Sequence, residues 1–184
     1  MGRPKQLLPL GKKPVIAHCL ESIVESGVPD IVVVLGPSGD RILEAIRRFP
    51  ITVVYNKEPA SEMAESVRTG LRVVDEKSSG VLICLSDHPL VSEITIRNLI
   101  AGHREDPEEV IIPVYRGRRG HPTLFPKQMI EGMHPGLTLR DIVRKGSPGV
   151  KYIEVPDRGV VTDLDTEEDY RRIHAGTATP STDR

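Results

Sequence analysis

Residues 28–56 read VPDIVVVLGPSGDRILEAIRRFPITVVYN, and three patterns follow one another inside them. Residues 31–35 are an unbroken, mostly β-branched apolar run bounded by turn residues, as in a strand covered on both faces. Residues 38–49 then place Ile42, Ala45, Ile46 and Phe49 on one helical face. Residues 51–56 return to a strand pattern. Strand, helix, strand in this order is the unit of a parallel sheet coated with helices.

The same alternation continues outward. Upstream, Val15, Ile16, Cys19, Leu20, Ile23 and Val24 line one face of a helix over residues 14–26, with Pro14 suited to its first turn and Gly27 to its stop. Downstream, Met63, Val67, Leu71 and Val74 mark a helix over 62–74. GVLICLSDHP, residues 80–89, is a third strand that ends in an aspartate. Ser92 caps a helix running to about Arg104, with Ile96, Leu99 and Ile100 inward.

The second half is richer in strands. EEVIIPVYRGRRGHPTLFP, residues 108–126, predicts two strands around a basic, glycine-rich turn, followed by a short helix over 137–145. VKYIEVP (150–156) and VVTDLD (160–165) predict late strands. Thr166 with Asp169 three residues on is a capping-box pattern for a last helix. The expected fold class is therefore α/β: a mostly parallel sheet with helices on both faces and a β-hairpin added in the second half. One domain is expected over residues 1–174, with a disordered tail over 175–184.

Composition narrows the function classes. A net charge of −1 over 184 residues gives no field toward nucleic acid or anionic membrane, and tryptophan is absent. The longest apolar runs are far below the roughly 20 residues of a membrane span. Cys19 and Cys84 lie far apart among apolar neighbours, as buried thiols in a reducing compartment do, so a cytoplasmic location is expected.

In such sheets ligands sit beyond the carboxyl ends of the strands. Asp87, held before Pro89, is placed there as a ligand for a hard cation or as a turn cap. Asp163 and Asp165, at i and i+2, would face one side of a strand, as a second metal carboxylate or as acids favoured by the following helix N-terminus. RGRRGHP, residues 116–122, is a basic loop able to clasp an anion, or a solvated hairpin tip. Ser61, Met63 and Ser66 fit either a helix cap with a core methionine or a ligand contact. No Ser-His or Cys-His pairing is evident, so acids for a metal and cations for phosphates point to phosphoryl or nucleotidyl transfer.

MGRPKQLLPLGKKPVI (1–16), SDHPLVS (86–92), RGRRGHPTLF (116–125) and DLDTEEDYRRI (163–173) occur in this order. Together they resemble the MobA-like NTP transferases, and within these the molybdenum cofactor cytidylyltransferases. The resemblance implies a Rossmann-like fold of the nucleotide-diphospho-sugar transferase type and transfer of a nucleoside monophosphate to a phosphorylated acceptor with Mg²⁺. CTP is expected rather than GTP, with molybdopterin as acceptor, pyrophosphate as product and a molybdoenzyme as a possible downstream partner. It assigns Gly2, Arg3 and Lys5 to the nucleotide phosphates and Met63 and Ser66 to base and ribose. Asp87 and Asp165 become the metal ligands, with Asp163 as fallback, and Lys5, Asp87 and Asp165 the catalytic set. Arg119, Gly120 and His121 fall on the acceptor side. Ser86, Glu62 and Glu167 depart from the family pattern, standing for glycine, glycine and proline.

The family's opening strand and glycine-rich loop would precede Met1. A start site further upstream is expected; the alternative is a shortened chain whose gap another segment or a partner fills, with weak or no activity. Two rival functions remain: a non-catalytic module holding nucleotide or molybdenum cofactor, and a transferase acting on a sugar or alditol phosphate.

Overall fold

The computed structural model describes residues 4–58, 63–145 and 149–177. After a 3₁₀ turn at Lys5–Leu7, β1 (Pro9–Leu10) and β2 (Lys13–Pro14) form a minute hairpin around Gly11, whose φ of +61° is left-handed. The chain continues through α1 (Val15–Glu25), β3 (Val32–Leu35), α2 (Asp40–Ile46), β4 (Thr52–Tyr55), α3 (Met63–Leu71) and β5 (Gly80–Ile83). Then come α4 (Glu93–Glu105), β6 (Val110–Tyr115), β7 (Arg118–Arg119) and β8 (Thr123–Pro126). The last elements are α5 (Lys127–Glu131), α6 (Leu139–Lys145), β9 (Val150–Glu154) and α7 (Glu167–Thr177).

The segment read first folds as its pattern dictates: β3 and β4 are parallel, in register from Val32 opposite Thr52 to Leu35 opposite Tyr55, with α2 as the crossover. The second sheet is mixed. β9 runs parallel to β6, whereas β8 is antiparallel to both β5 and β6, and β7 hairpins back on β6. Among the described residues β3 pairs only with β4 and β5 only with β8, so no ladder joins the two sheets.

Both faces are covered, and strand alternation shows how. Val110 and Ile112 of β6 and Phe125 of β8 pack with Ala64 of α3, Ile130 of α5 and Ile142 of α6. The intervening Ile111 and Leu124 turn the other way, onto Leu99 of α4. On β3, Val33 joins Ile16, Leu20 and Ile46 from α1 and α2. Its neighbours Val32 and Val34 face α3, where Gly70 lets the helix approach: a Cβ there would stand 3.1 Å from Val34.

Two segments differ from what the pattern predicts or leaves unassigned. Residues 160–165 are not a strand; Arg158–Val161 forms a 3₁₀ turn, because the Asp157 carboxylate accepts the Gly159 N–H (2.8 Å) and caps it. Residues 127–131, for which the pattern predicts no element, form α5, docked by the buried Lys127, whose Nζ donates to the carbonyls of Asp75 and Glu76. α7 continues past His174 to Thr177.

The capping box is present: Thr166 Oγ1 accepts the Asp169 N–H (3.1 Å) while Asp169 Oδ2 accepts the Thr166 N–H (2.9 Å). α7 carries Ile173 and Tyr170 onto Leu10, Val15 and Leu164. Thr166→Ala is therefore expected to cost about 1 kcal/mol, a fall in Tm of about 2–4 °C for a chain of this size. A thermal melt followed by far-UV circular dichroism measures it.

Candidate active site

The cluster of Leu10, Val15, Leu164 and Ile173 ties the first residues of the chain to the segment before α7. Gln6 Nε2 donates to Ser86 Oγ (3.3 Å), and the Tyr170 hydroxyl donates to the Pro9 carbonyl. From the other side the Leu164 N–H donates to the Asp87 carbonyl (2.9 Å). Leu164 is fully buried between exposed Asp163 and Asp165, so the in–out alternation expected of a strand survives without the strand.

These ties gather three charged side chains from distant parts of the sequence. Lys5 Nζ lies 2.6 Å from Asp165 Oδ1 and 3.6 Å from Asp87 Oδ2. The hydrogen bond to Asp165 raises the Lys5 ammonium above the usual lysine range, and the same bond lowers the Asp165 carboxyl. The depressed acid contributes above the usual aspartate value of about 3.9 and is lost as pH falls through its folded value. The raised lysine contributes below the usual value of about 10.4 and is lost as pH rises through its folded value. The pair is thus intact across the neutral range. Carbon-detected NMR is expected to show Asp165 titrating below an ordinary aspartate, and Lys5→Ala is expected to move it back up; an unmoved titration would contradict the pairing.

Asp87 Oδ1 is buried and accepts no hydrogen bond, with His88 Nε2 3.9 Å away. A carboxylate oxygen in that state suits a hard cation. Among the described residues no three His, Cys, Asp or Glu side chains form a metal cluster. The chain offers two carboxylates, the donor set of a Mg²⁺-type ion completed by substrate phosphates and water.

His121 sits behind Asp87. Its ring meets that of His88 edge-on at 5.3 Å, and its Nδ1 is buried without a partner. Burial first, then His88, pushes it below the usual histidine range, so the imidazole is neutral at pH 7. Gly120 has a packing reason to be glycine: a Cβ there would lie 2.3 Å from the Val160 carbonyl oxygen. Burial pushes the thiols of Cys19 and Cys84 up to about 12, which keeps them protonated.

A scan against family models matches residues 1–146 to the MobA-like NTP transferase domain. The chain belongs to the MobA-like NTP transferase family. A nicotine blue oxidoreductase from Paenarthrobacter nicotinovorans is 26% identical, the alignment covering 94% of this chain and 89% of that protein. Among solved structures, the homologue of Mycobacterium tuberculosis Rv0371c from Mycobacterium sp. strain JC1 superposes with a TM-score of 0.80 at 27% identity, covering 96% of this chain and 89% of the other. Rv0371c of M. tuberculosis H37Rv in complex with manganese gives a TM-score of 0.74 at 26% identity, covering 95% and 93%. A divalent metal in that relative is consistent with a divalent-metal requirement in the family.

The remaining residues expected from the sequence are dispersed. Gly2, Arg3, Ser61 and Glu62 lie outside the described residues. Met63 is exposed at the start of α3, and Ser66 Oγ accepts from Asn56 Nδ2 (3.2 Å) at the end of β4. The Arg119 guanidinium stacks on Tyr152, 4.8 Å from the ring centre. Sequence reasoning missed His88, although it follows Asp87 directly, and, beyond the 116–122 loop already singled out as able to clasp an anion, Arg158 and Arg172, which line one cleft with Arg116 and Arg118. Their separation along the chain hides that cleft; only the 116–119 run advertised basic character.

No helix among the described residues is long and apolar enough to cross a membrane.

Proposed function

We propose that this protein is a metal-dependent nucleotidyltransferase that joins the nucleoside monophosphate of a triphosphate, CTP before GTP, to a phosphorylated acceptor, molybdopterin first among the candidates. The observation that carries the reading is the meeting of Asp87 and Asp165 on one lysine, with a buried Asp87 oxygen left unpartnered. In the reaction an acceptor phosphate oxygen forms a bond to the α-phosphorus. The bond from the α-phosphorus to the bridging oxygen breaks, and its electron pair leaves with pyrophosphate.

Asp87 and Asp165 would hold the Mg²⁺, which would supply charge neutralisation for the triphosphate. Lys5, protonated at neutral pH, places a positive charge beside both carboxylates and is positioned to exchange them for phosphate oxygens. His121, neutral and half-buried, is suited to bind and orient the acceptor rather than to neutralise it.

The test is pyrophosphate release from CTP and GTP with purified molybdopterin, with and without Mg²⁺ or Mn²⁺, product mass being read in parallel. Release that needs metal and acceptor together is the expected result. Nucleotide binding without release would favour a non-catalytic module. Release with a sugar or alditol phosphate but not with molybdopterin would reassign the acceptor. The likeness to a protein named as a nicotine blue oxidoreductase supports a second reading, which oxidation of a reduced nicotinamide dinucleotide with nicotine blue added as the two-electron acceptor would favour.

A further inference from the structure

We infer that the cleft walled by Arg116, Arg118, Arg158 and Arg172 binds a phosphomonoester dianion, and that it is the subsite for the acceptor's phosphate. The second half of this statement rests on the nucleotidyltransferase reading; the first does not.

The cleft has a volume of about 300 Å³, the lower end of what small-molecule sites occupy. Three separate parts of the chain build it. The β6–β7 hairpin supplies Tyr115, Arg116 and Arg118; the turn after β9 supplies Arg158, Val161, Thr162 and Asp163; α7 supplies Asp169, Arg172 and Ile173. A single basic hairpin tip in solvent would need no such convergence.

The local backbone explains which arginines face it. Arg116 and Gly117 both have positive φ, +49° and +76°, as a two-residue hairpin loop of the I′ class demands. Tyr115 pairs with Arg118 across the hairpin, and Val114 with Arg119. Cross-strand partners share a face and successive residues do not. Arg118 therefore joins Tyr115 in the cleft, while Arg119 turns away onto Tyr152. Arg116 is steadied by its guanidinium over the Tyr115 ring at 5.3 Å and by its N–H donating to Glu154 Oε1 (2.8 Å).

The charges do not cancel. Among the described residues, the side chains of Arg116, Arg118 and Arg158 have no carboxylate within 4.0 Å; of the four arginines only Arg172 has one, pairing with Asp169 at 2.9 Å. Asp157 is next to Arg158 in sequence but committed elsewhere. Its Oδ2 accepts from the Ser92 N–H, Ser92 Oγ and Thr95 Oγ1, and its Oδ1 from the Gly159 N–H. Asp169 Oδ2 is likewise taken by Thr166. Four guanidiniums against Asp163 and Asp169 leave two positive charges over, which a phosphomonoester of about −1.5 to −2 at pH 7 balances. Guanidiniums give paired, planar hydrogen bonds to phosphate oxygens, which favours phosphate over a simple carboxylate.

Asp163 links the cleft to the metal-binding carboxylates. It lines the cleft and lies two residues before Asp165, the two flanking buried Leu164. A phosphate held by the arginines is thus delivered to the edge of the Asp87–Asp165 pair.

The experiment is a calorimetric titration of the full chain with glycerol 3-phosphate, free of metal and nucleotide, with glycerol as the uncharged control. Arg118→Gln, Arg158→Gln and the double variant are compared, and melts confirm that each folds. Saturable binding of the phosphomonoester is expected, weakened about tenfold or more in the double variant, because charge-assisted bonds are its main source. Binding of CTP with Mn²⁺ by the double variant is expected to match that of the unaltered chain. Equal phosphomonoester binding by all forms, or binding no stronger than that of glycerol, overturns the inference. Loss of phosphomonoester binding in the variants, in a chain that binds no nucleotide at all, upholds the anion cleft while removing the nucleotidyltransferase reading and the acceptor role with it.

Discussion

Asp87→Asn is expected to lower metal-dependent pyrophosphate release by about 100-fold or more, since on the proposed reading it removes one charged ligand of the metal at constant side-chain volume. The fold is expected to survive. What holds residue 87 in place is its backbone carbonyl, which accepts the Leu164 N–H, and the substitution leaves that bond untouched. Asp87 Oδ1 has no hydrogen-bond partner to lose. Its other oxygen is 3.6 Å from Lys5, a loose contact next to the 2.6 Å bond that Lys5 makes with Asp165. A melt within about 3 °C of the parent chain, with turnover gone, is the expected combination. Turnover unchanged would remove Asp87 from the chemistry. Asp165→Asn is a useful companion: that carboxylate is 58% exposed and paired with Lys5, so it is expected to raise the metal requirement and to release Lys5.

The fold was legible wherever a segment is covered on both faces. The runs at 31–35 and 80–85 carry no polar alternation, and they became β3 and β5 with helices on either side. Helix faces were legible for the same reason: Ile16, Leu20 and Ile46 point where their spacing placed them. The 160–165 segment misled because its in–out pattern comes from one buried leucine between two aspartates, and a capped turn satisfies that pattern as well as a strand does. The antiparallel placement of β8 is set by its long-range pairing with β5 and β6, which local propensity does not encode.

Within the site, Lys5, Asp87 and Asp165 were each visible in a motif, but their meeting depends on Leu10, Leu164 and Ile173 burying together, a contact across most of the chain. The arginine cleft shows the opposite limit. Arg158 stands singly and Arg172 follows Arg171 on an ordinary charged helix, and only the fold sets them facing Arg116 and Arg118.

Gly159→Ala is expected to be the most destabilising single methyl addition among the described residues. A Cβ at 159 would lie 2.2 Å from the Leu90 carbonyl oxygen, 2.4 Å from its carbon and 2.7 Å from the Val91 nitrogen. All three are backbone atoms, so no side-chain rotation relieves the clash. Leu90 and Val91 cannot retreat easily either. The next residue, Ser92, caps α4 and is bound through its N–H and hydroxyl to Asp157, two residues before the glycine. Moving one strand of this contact therefore breaks the polar ties that hold the other. The expected cost is about 3 kcal/mol or more, a fall in Tm of about 10 °C. Gly132→Ala, where a Cβ meets nothing within 4 Å, is the matched control and is expected to leave the melt unchanged. The damage should also reach the chemistry. The Val160 carbonyl accepts the His121 N–H (2.8 Å), and the Gly159 carbonyl lies 3.4 Å from His88 Nδ1. Any Gly159→Ala protein that remains folded at low temperature is thus expected to show displaced His88 and His121 ring signals by NMR. Unshifted ring signals together with an unaltered melt would mean that the turn yields without cost, and that Gly159 is not what aligns the two histidines behind Asp87.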